Sequence, residues 1–220
     1  MTRLFVTMIL ALNVMIVKPQ SDPNYGESDP KAQAILDQVS IKYKAYSSMQ
    51  ASFKLTITAP EDELNEEQSG KIYLKGKKYK LELNRQEIIC DNKTVWTYLR
   101  DANEVQINNY EPDENSITPT DLFTIYEKDF LNKLVEETSE DGKKVQKIDL
   151  IPLDKEKPFF KIQMTIGKDD QQIMSMKIFD KNGNRYTYAL SDFKGNAGLS
   201  DALFIFDRKK HPEVEVIDLR

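Results

Sequence analysis

The chain has 220 residues, with 31 Lys and Arg against 36 Asp and Glu, and a net charge of -5. That sign opposes the one a phosphate backbone requires, so duplex nucleic acid is excluded as a partner. One His and one Cys exclude a site needing two imidazoles, an internal disulfide and any cysteine-cluster zinc centre.

Arg3 precedes a nearly unbroken apolar stretch from Leu4 to Val17, closed by Lys18 and Pro19, which is the pattern of a secretory signal. The stretch is shorter than the roughly 20 residues that a membrane-spanning helix needs. Residues 1–20 are therefore expected to be a removable signal peptide and 21–28 a flexible N-terminal segment, with one domain over 29–220. A lipoprotein leader would place a cysteine at the junction, and Cys90 lies far downstream, so the exported chain is expected to be soluble. Cleavage after Gln20 would remove Arg3 and Lys18 and no acid, and so acidic a chain is not expected to cling to anionic membranes.

Asp29-Pro30 is a helix start signal. Ala32, Ile35, Leu36, Val39, Tyr43 and Tyr46 then recur with helical spacing, with Lys31, Asp37, Lys42 and Lys44 opposite, predicting an amphipathic helix over about 30–47. Phe53, Leu55 and Ile57 alternate with Lys54, Thr56 and Thr58. The acidic stretch from Glu61 to Glu67 reads as a turn, and alternation resumes at Ile72 and Leu74 and at Tyr79, Leu81 and Leu83. Glu87 to Cys90, Thr94 to Leu99 and Val105 to Asn109 complete a meander of six short strands.

From Thr118 to Glu137 the period changes. Pro119 follows a capping Thr118, and Leu122, Phe123, Ile125, Tyr126, Phe130, Leu131, Leu134 and Val135 supply apolar faces for one or two short helices. After the Asp141-Gly142 turn, strands are predicted at Val145 to Pro152, Phe159 to Ile166, Gln171 to Phe179 and Tyr186 to Phe193, with Asn182-Gly183 as a hairpin signal. Phe204 and Phe206, then Val214, Val216 and Ile217, add short strands. Ten antiparallel strands in one domain curl into a barrel or split into two sheets, and the helices must cover an apolar face.

No segment carries a catalytic signature. His211 sits in the charged run RKKHPEVEV, which reads as a solvated loop, and no G-x-S-x-G elbow presents a nucleophile. Asp169-Asp170 and Glu66-Glu67 read as solvated turn acids, and no calcium loop or phosphate-cradling Gly loop is complete. The hairpin GKIYLKGKKYKLEL interleaves Lys71, Lys75, Lys77, Lys78 and Lys80 with Tyr73 and Tyr79; in an acidic exported chain it reads as a Lys-studded edge strand. Cys90 reads as a small hydrophobe at a strand end. Trp96 and Tyr98 share one strand face, and Met164, Met174 and Met176 another if their strands pair; core packing is the ordinary use of both sets and a lined pocket the alternative. No metal or cofactor is expected.

The opening helix DPKAQAILDQVSIKYKAYSSMQASF, the strand pair GKIYLKGKKYKLEL, the block IICDNKTVWTYL followed by NEVQINNY, the strand IDLIPL and the closing FIFDRKKHPEVEVIDLR occur in one order. In that order and spacing the chain resembles the periplasmic outer-membrane lipoprotein carrier proteins, the LolA-like family, over about residues 29–220. The resemblance implies an incomplete antiparallel β-barrel, a half-barrel lidded by short α-helices, that shelters the acyl chains of lipoproteins crossing the periplasm. It implies acylated lipoproteins as cargo, an ATP-driven inner-membrane release complex that loads them, an acceptor at the outer membrane, and no chemistry by the carrier, which is expected to be a monomer. Family members carry an Arg near the strand pair that ties the lid shut, with an aromatic four residues later. Here LKGKKYK puts Gly76 or a neighbouring Lys at that place and Tyr79 near the aromatic one, so Lys77 substitutes only as a point charge and lid closure is expected to be weaker.

On this reading an apolar hollow is lined by Phe53, Leu55, Ile57, Leu74, Tyr79, Leu81, Trp96, Tyr98, Met164, Met174 and Met176 and lidded by Leu122, Phe123, Tyr126 and Phe130. Alternation fixes which residues share a face but not which face is concave. Two other readings stay open: an envelope module of the same fold that senses lipoproteins or lipids, and a hydrolase using two carboxylates.

Overall fold

The computed structural model describes residues 26–59, 64–111, 117–127 and 129–220. The expected signal peptide and most of the expected flexible segment lie outside the described residues. Helix α1 (Pro30–Lys44) begins as the sequence dictates: Asp29 is extended and its carboxylate accepts the Lys31 N–H at 2.8 Å, with Pro30 in the first turn. Lys42 and Lys44 sit in the last turn, where cations suit the helix dipole. Ala32, Leu36, Val39 and Tyr43 form the buried stripe.

Strands β1 (Met49–Ala59), β2 (Leu64–Lys75), β3 (Lys78–Leu83), β4 (Gln86–Cys90), β5 (Thr94–Leu99) and β6 (Glu104–Asn109) form one antiparallel meander. A second meander comprises β7 (Phe130–Glu140), β8 (Lys143–Pro152), β9 (Phe159–Gly167), β10 (Ile173–Asp180) and β11 (Arg185–Gly195). Pairing of β1 with β11 fuses the two, and β12 (Glu215–Asp218) returns to lie parallel to β6. The outcome is a twelve-stranded open sheet with β7 and β12 at its edges. One face of both halves joins α1 and the segment after Ile117 in a single apolar cluster, so the sheet curls around them as a half-barrel.

Four local readings are corrected. Among the described residues of the stretch from Thr118 to Glu137, only Asp121–Phe123 and Ile125–Glu127 are helical, as single 3₁₀ turns, and from Phe130 the chain is strand β7. The apolar spacing in Phe130, Leu131, Leu134 and Val135 fits both periods, and pairing with β8, with a bulge between Leu134 and Glu136, decides for the strand. Glu66 and Glu67 belong to β2, opposite Ile57 and Thr56, and Lys54 pairs with Glu67 at 2.7 Å. The Lys-rich hairpin is interior to the sheet rather than an edge: Lys80 is held between Glu82 and Glu87 at 3.0 and 2.8 Å. Phe204 ends a 3₁₀ turn, Asp201–Phe204, instead of starting a strand.

Candidate functional site

The side chains inside the curl divide it into a filled half and a hollow half. Against β8, β9 and β10, helix α1 presses Leu36 and Val39 into a cluster with Ile148, Ile162, Met164 and Met176, all essentially without exposure. That half is packed core. Over β1 to β4 the concave surface is roofed, among the described residues, by 117–127, and there the packing leaves a hollow.

Beneath the roof lies a cavity of about 300 Å³ lined by Phe53 and Leu55 of β1, Ile72 of β2, Tyr79 and Leu81 of β3, and Leu122 from above. Tyr188 and Leu190 of β11 and Ile88 of β4 complete its wall. The alternation of β1 and β3 puts these residues on one face, and the β2–β3 hairpin brings Leu74 opposite Tyr79. On the other side of the roof is a second, larger space of about 880 Å³, reached by Leu74, Phe123, Phe130, Tyr43 and Tyr46. Ile117 and Thr118 line both spaces, so the roof segment is a partition: Leu122 faces one chamber and Phe123 the other.

The partition is built by its own sequence. The Asp121 carboxylate accepts both the N–H and the hydroxyl of Thr118 at 2.7 Å, which tightens the turn around Pro119. It is fastened to α1: Ser40 donates to Glu127 at 2.8 Å, Lys44 pairs with Glu127 at 2.9 Å, and the Tyr43 and Phe123 rings lie 5.2 Å apart. The Tyr43 hydroxyl in turn accepts the Ile173 N–H at 3.0 Å. By contrast the hairpin that carries the expected latch position holds something else. Lys75 and Lys78 reach Asp201 at 3.3 and 2.8 Å, and Lys77 is exposed with no ion pair among the described residues. Closure is therefore tied to the helix rather than to the strand pair.

One group in the roof is poorly served. The Tyr126 hydroxyl is buried without a hydrogen-bond partner among the described residues. Burial pushes its pKa well above the usual tyrosine value, as it does for Tyr43 and Tyr79. Cys90 lies beside Tyr79, and burial raises its thiol pKa too, which leaves it an inert part of the core.

The structure thus gathers Phe53, Leu55, Tyr79, Leu81 and Leu122 around one chamber and Leu74, Phe123 and Phe130 around the other. Tyr126 is buried between the roof and the core, and Phe130 contributes from the start of β7. Met164 and Met176 face inward but are wholly enclosed in the filled half. Ile57 lines neither chamber. Met174 leaves the shared face, because a β-bulge between Ile173 and Ser175 turns Ile173 and Met176 inward instead. Trp96 and Tyr98 point to the opposite side of β5, where they pack with Val105, Phe206 and Val214. His211 joins them, its ring 4.4 Å from Tyr98 and 5.1 Å from Phe206, so it is a packing residue rather than part of a solvated loop. Tyr188 and Leu190 are wall residues that the sequence reading did not single out, although the alternation of Tyr186, Tyr188 and Leu190 carries the signal.

Among the described residues no helix is long and apolar enough to cross a membrane. No curated protein matches the chain. Among solved structures it is similar to an uncharacterized conserved protein from Thermus thermophilus, at 17% identity and a TM-score of 0.56, over 86% of this chain and 99% of that one. A lipoprotein, LppX, from Mycobacterium tuberculosis matches at 16% identity and a TM-score of 0.49 over 79% and 99%. A LolA superfamily protein from Nitrosomonas europaea matches at 14% identity and a TM-score of 0.43 over 80% and 98%. The first of these likenesses is one of fold. The sequence pattern described as outer membrane lipoprotein carrier protein LolA matches residues 44–207, and on that match the chain belongs to the LolA family.

Proposed function

We propose that this chain is an exported, periplasmic carrier that shelters the acyl chains of lipoproteins in the hollow half of its curl and moves them from the inner to the outer membrane. The observation that supports it is the partitioned apolar hollow itself. A protein that merely needed a core would fill the concave face of β1 to β4 as it fills that of β8 to β10. Sheltering is worth its structural cost, since each methylene removed from water is worth about 0.8 kcal/mol.

Size sets how such a carrier would work. At roughly 30 Å³ for a methylene-sized group, comparable with a water's share of its liquid, the smaller chamber takes about ten such groups, fewer than one long acyl chain carries. The larger chamber takes about thirty, so a long chain fits there as it stands, and use of the smaller chamber as well requires the roof over 117–127 to lift and the two chambers to merge. In this reading an inner-membrane complex driven by ATP hydrolysis loads the cargo, an outer-membrane acceptor receives it, and the carrier does no bond chemistry.

Mass spectrometry of material copurifying with the chain from its native periplasm tests the proposal. Acylated N-terminal peptides are the expected finding, reduced at least tenfold by Tyr79→Glu, which places a carboxylate in the smaller chamber. Clean protein from wild type, or unchanged recovery from the variant, would overturn it.

A further inference from the structure

The convex face of β9, β10 and β11 carries a feature that the hollow does not explain. Strand pairing aligns Lys161, Phe179 and Arg185 in one row across the outside of the sheet, directly behind the buried Ile162 and Ile178. The Phe179 ring is the centre: Lys161 Nζ lies 4.5 Å from its centroid, Lys177 Nζ 5.3 Å and the Arg185 guanidinium carbon 4.9 Å. A bulge between Phe179 and Asp180 turns Phe160 outward beside them, 6.0 Å from Phe179 and 46% exposed. Asp149 answers one of the three cations, Lys161, at 3.0 Å. Among the described residues Lys177 has no carboxylate partner and Arg185 donates only to the carbonyls of Gly183 and Asn184.

The patch continues to the rim. Leu153 is 57% exposed just past the end of β8, and Lys155 and Lys181 meet in the same loops, the Lys181 ammonium donating to the Lys155 carbonyl. That rim is also the mouth of the larger chamber, which Pro152, Asp154, Lys157 and Phe159 line. An acidic chain thus places a row of three cations and exposed Phe and Leu side chains at one place, next to the opening through which cargo would pass, while in the rim loops the lysines alternate with Asp154, Glu156 and Asp180. Net charge averages this away.

We propose that this patch docks the chain on an anionic phospholipid surface, the cations meeting headgroup phosphates while Phe160 and Leu153 enter the interface. The combination argues for lipid over an acidic protein: arginine and lysine answer either, but solvent-facing Phe and Leu beside them match a boundary where headgroups give way to hydrocarbon. Docked so, the larger chamber opens against the bilayer. The inference rests on the carrier reading for its purpose but not for its test.

The test is cosedimentation of the whole chain with vesicles. Wild type is expected to bind vesicles of phosphatidylethanolamine and phosphatidylglycerol at low salt, to be released at high salt, and to ignore vesicles of phosphatidylcholine alone. The combined variant K161Q/K177Q/R185Q is expected to lose about a hundredfold in affinity, at about fivefold for each cation near an anionic surface. Phe160→Ser, which keeps every charge, is expected to lose severalfold. Failure of wild type to bind the anionic vesicles, equal binding by the triple variant, or equal retention on soluble polyglutamate would overturn the proposal, the last in favour of an acidic protein. Uptake of a fluorescent fatty acid in the absence of vesicles reads the hollow separately: it should be the same in wild type and variants, and its failure in wild type would sink the carrier reading while leaving the docking result standing.

Discussion

Phe53 lies on Gly70 in the wall of the smaller chamber, and the fit leaves no room for a Cβ. A methyl group at Gly70 would come within 2.4 Å of the Glu82 carbonyl oxygen and 2.9 Å of the Phe53 ring. The first is backbone and cannot step aside, so Gly70→Ala should destabilise the fold by about 1–3 kcal/mol, as overpacked cores do. Urea denaturation monitored by circular dichroism measures it, and a change below about 0.5 kcal/mol, the ordinary surface range, would show that the β2–β3 contact is looser than described. Residues like these were half legible from sequence. Alternation put Phe53 with Leu55 and Tyr79 with Leu81, but it said nothing about which side of β5 turns inward. Trp96 and Tyr98 look like ideal pocket residues by chemistry; the return of the chain through Phe206 and Val214 gives them a separate cluster behind the sheet, a long-range event with no local signature.

At the scale of elements, the roof segment sets two ties to the helix against one buried polar group. Glu127 takes a hydrogen bond from Ser40 and an ion pair from Lys44, while the unpartnered Tyr126 hydroxyl works the other way, because opening returns it to water. Removing that hydroxyl should favour the closed state by about 1–3 kcal/mol, the desolvation cost of one orphaned group. Tyr126→Phe is therefore expected to slow uptake of a fluorescent fatty acid, and Lys44→Gln to speed it modestly, the Lys44 end of the pair being exposed. Stopped-flow fluorescence distinguishes them, and equal rates in all three proteins would remove the roof as the gate. The same stretch shows where sequence periodicity fails. From Phe130 onward the apolar residues satisfy a helix and a strand alike, and only the availability of β8 as a partner settles the matter. Met174 illustrates the converse: alternation gives the strand, but a single bulge moves the side chain off the expected face.

For the whole molecule, the architecture followed from counting short alternating segments, since that many antiparallel strands do not stay flat. Its closing contacts were less legible. The parallel return of β12 and the tie between α1 and β7 join residues far apart in sequence. Glu137 of β7 belongs to that tie, bonded by Lys31 of α1 at 2.6 Å, Lys168 at 3.0 Å and Gln146 of β8 at 2.9 Å. Those donors, Lys31 first, hold its carboxyl down to about 2 from an ordinary 4.5. A carboxylate lowered in the folded state stabilises fully above its ordinary value and loses that contribution as pH falls through the folded one. The melting-temperature gap between wild type and Glu137→Gln should be complete at neutral pH, shrink between about pH 4.5 and 2, and vanish below. A gap that stays constant across that window would mean the carboxylate's ionisation is irrelevant to the fold. Its size should be small and salt-sensitive, because the site is open to water.

Adjacent residues of one short turn, Leu122 and Phe123, face different chambers, and this has a thermodynamic corollary. Two guests, one on each side, would share a single movable wall. Whatever the first does to the second's affinity, the second must do to the first's by the same factor, since equilibrium coupling is reciprocal. Heterotropic cooperativity between short fatty ligands, of either sign, would thus be a property of the protein alone, independent of any transport machinery.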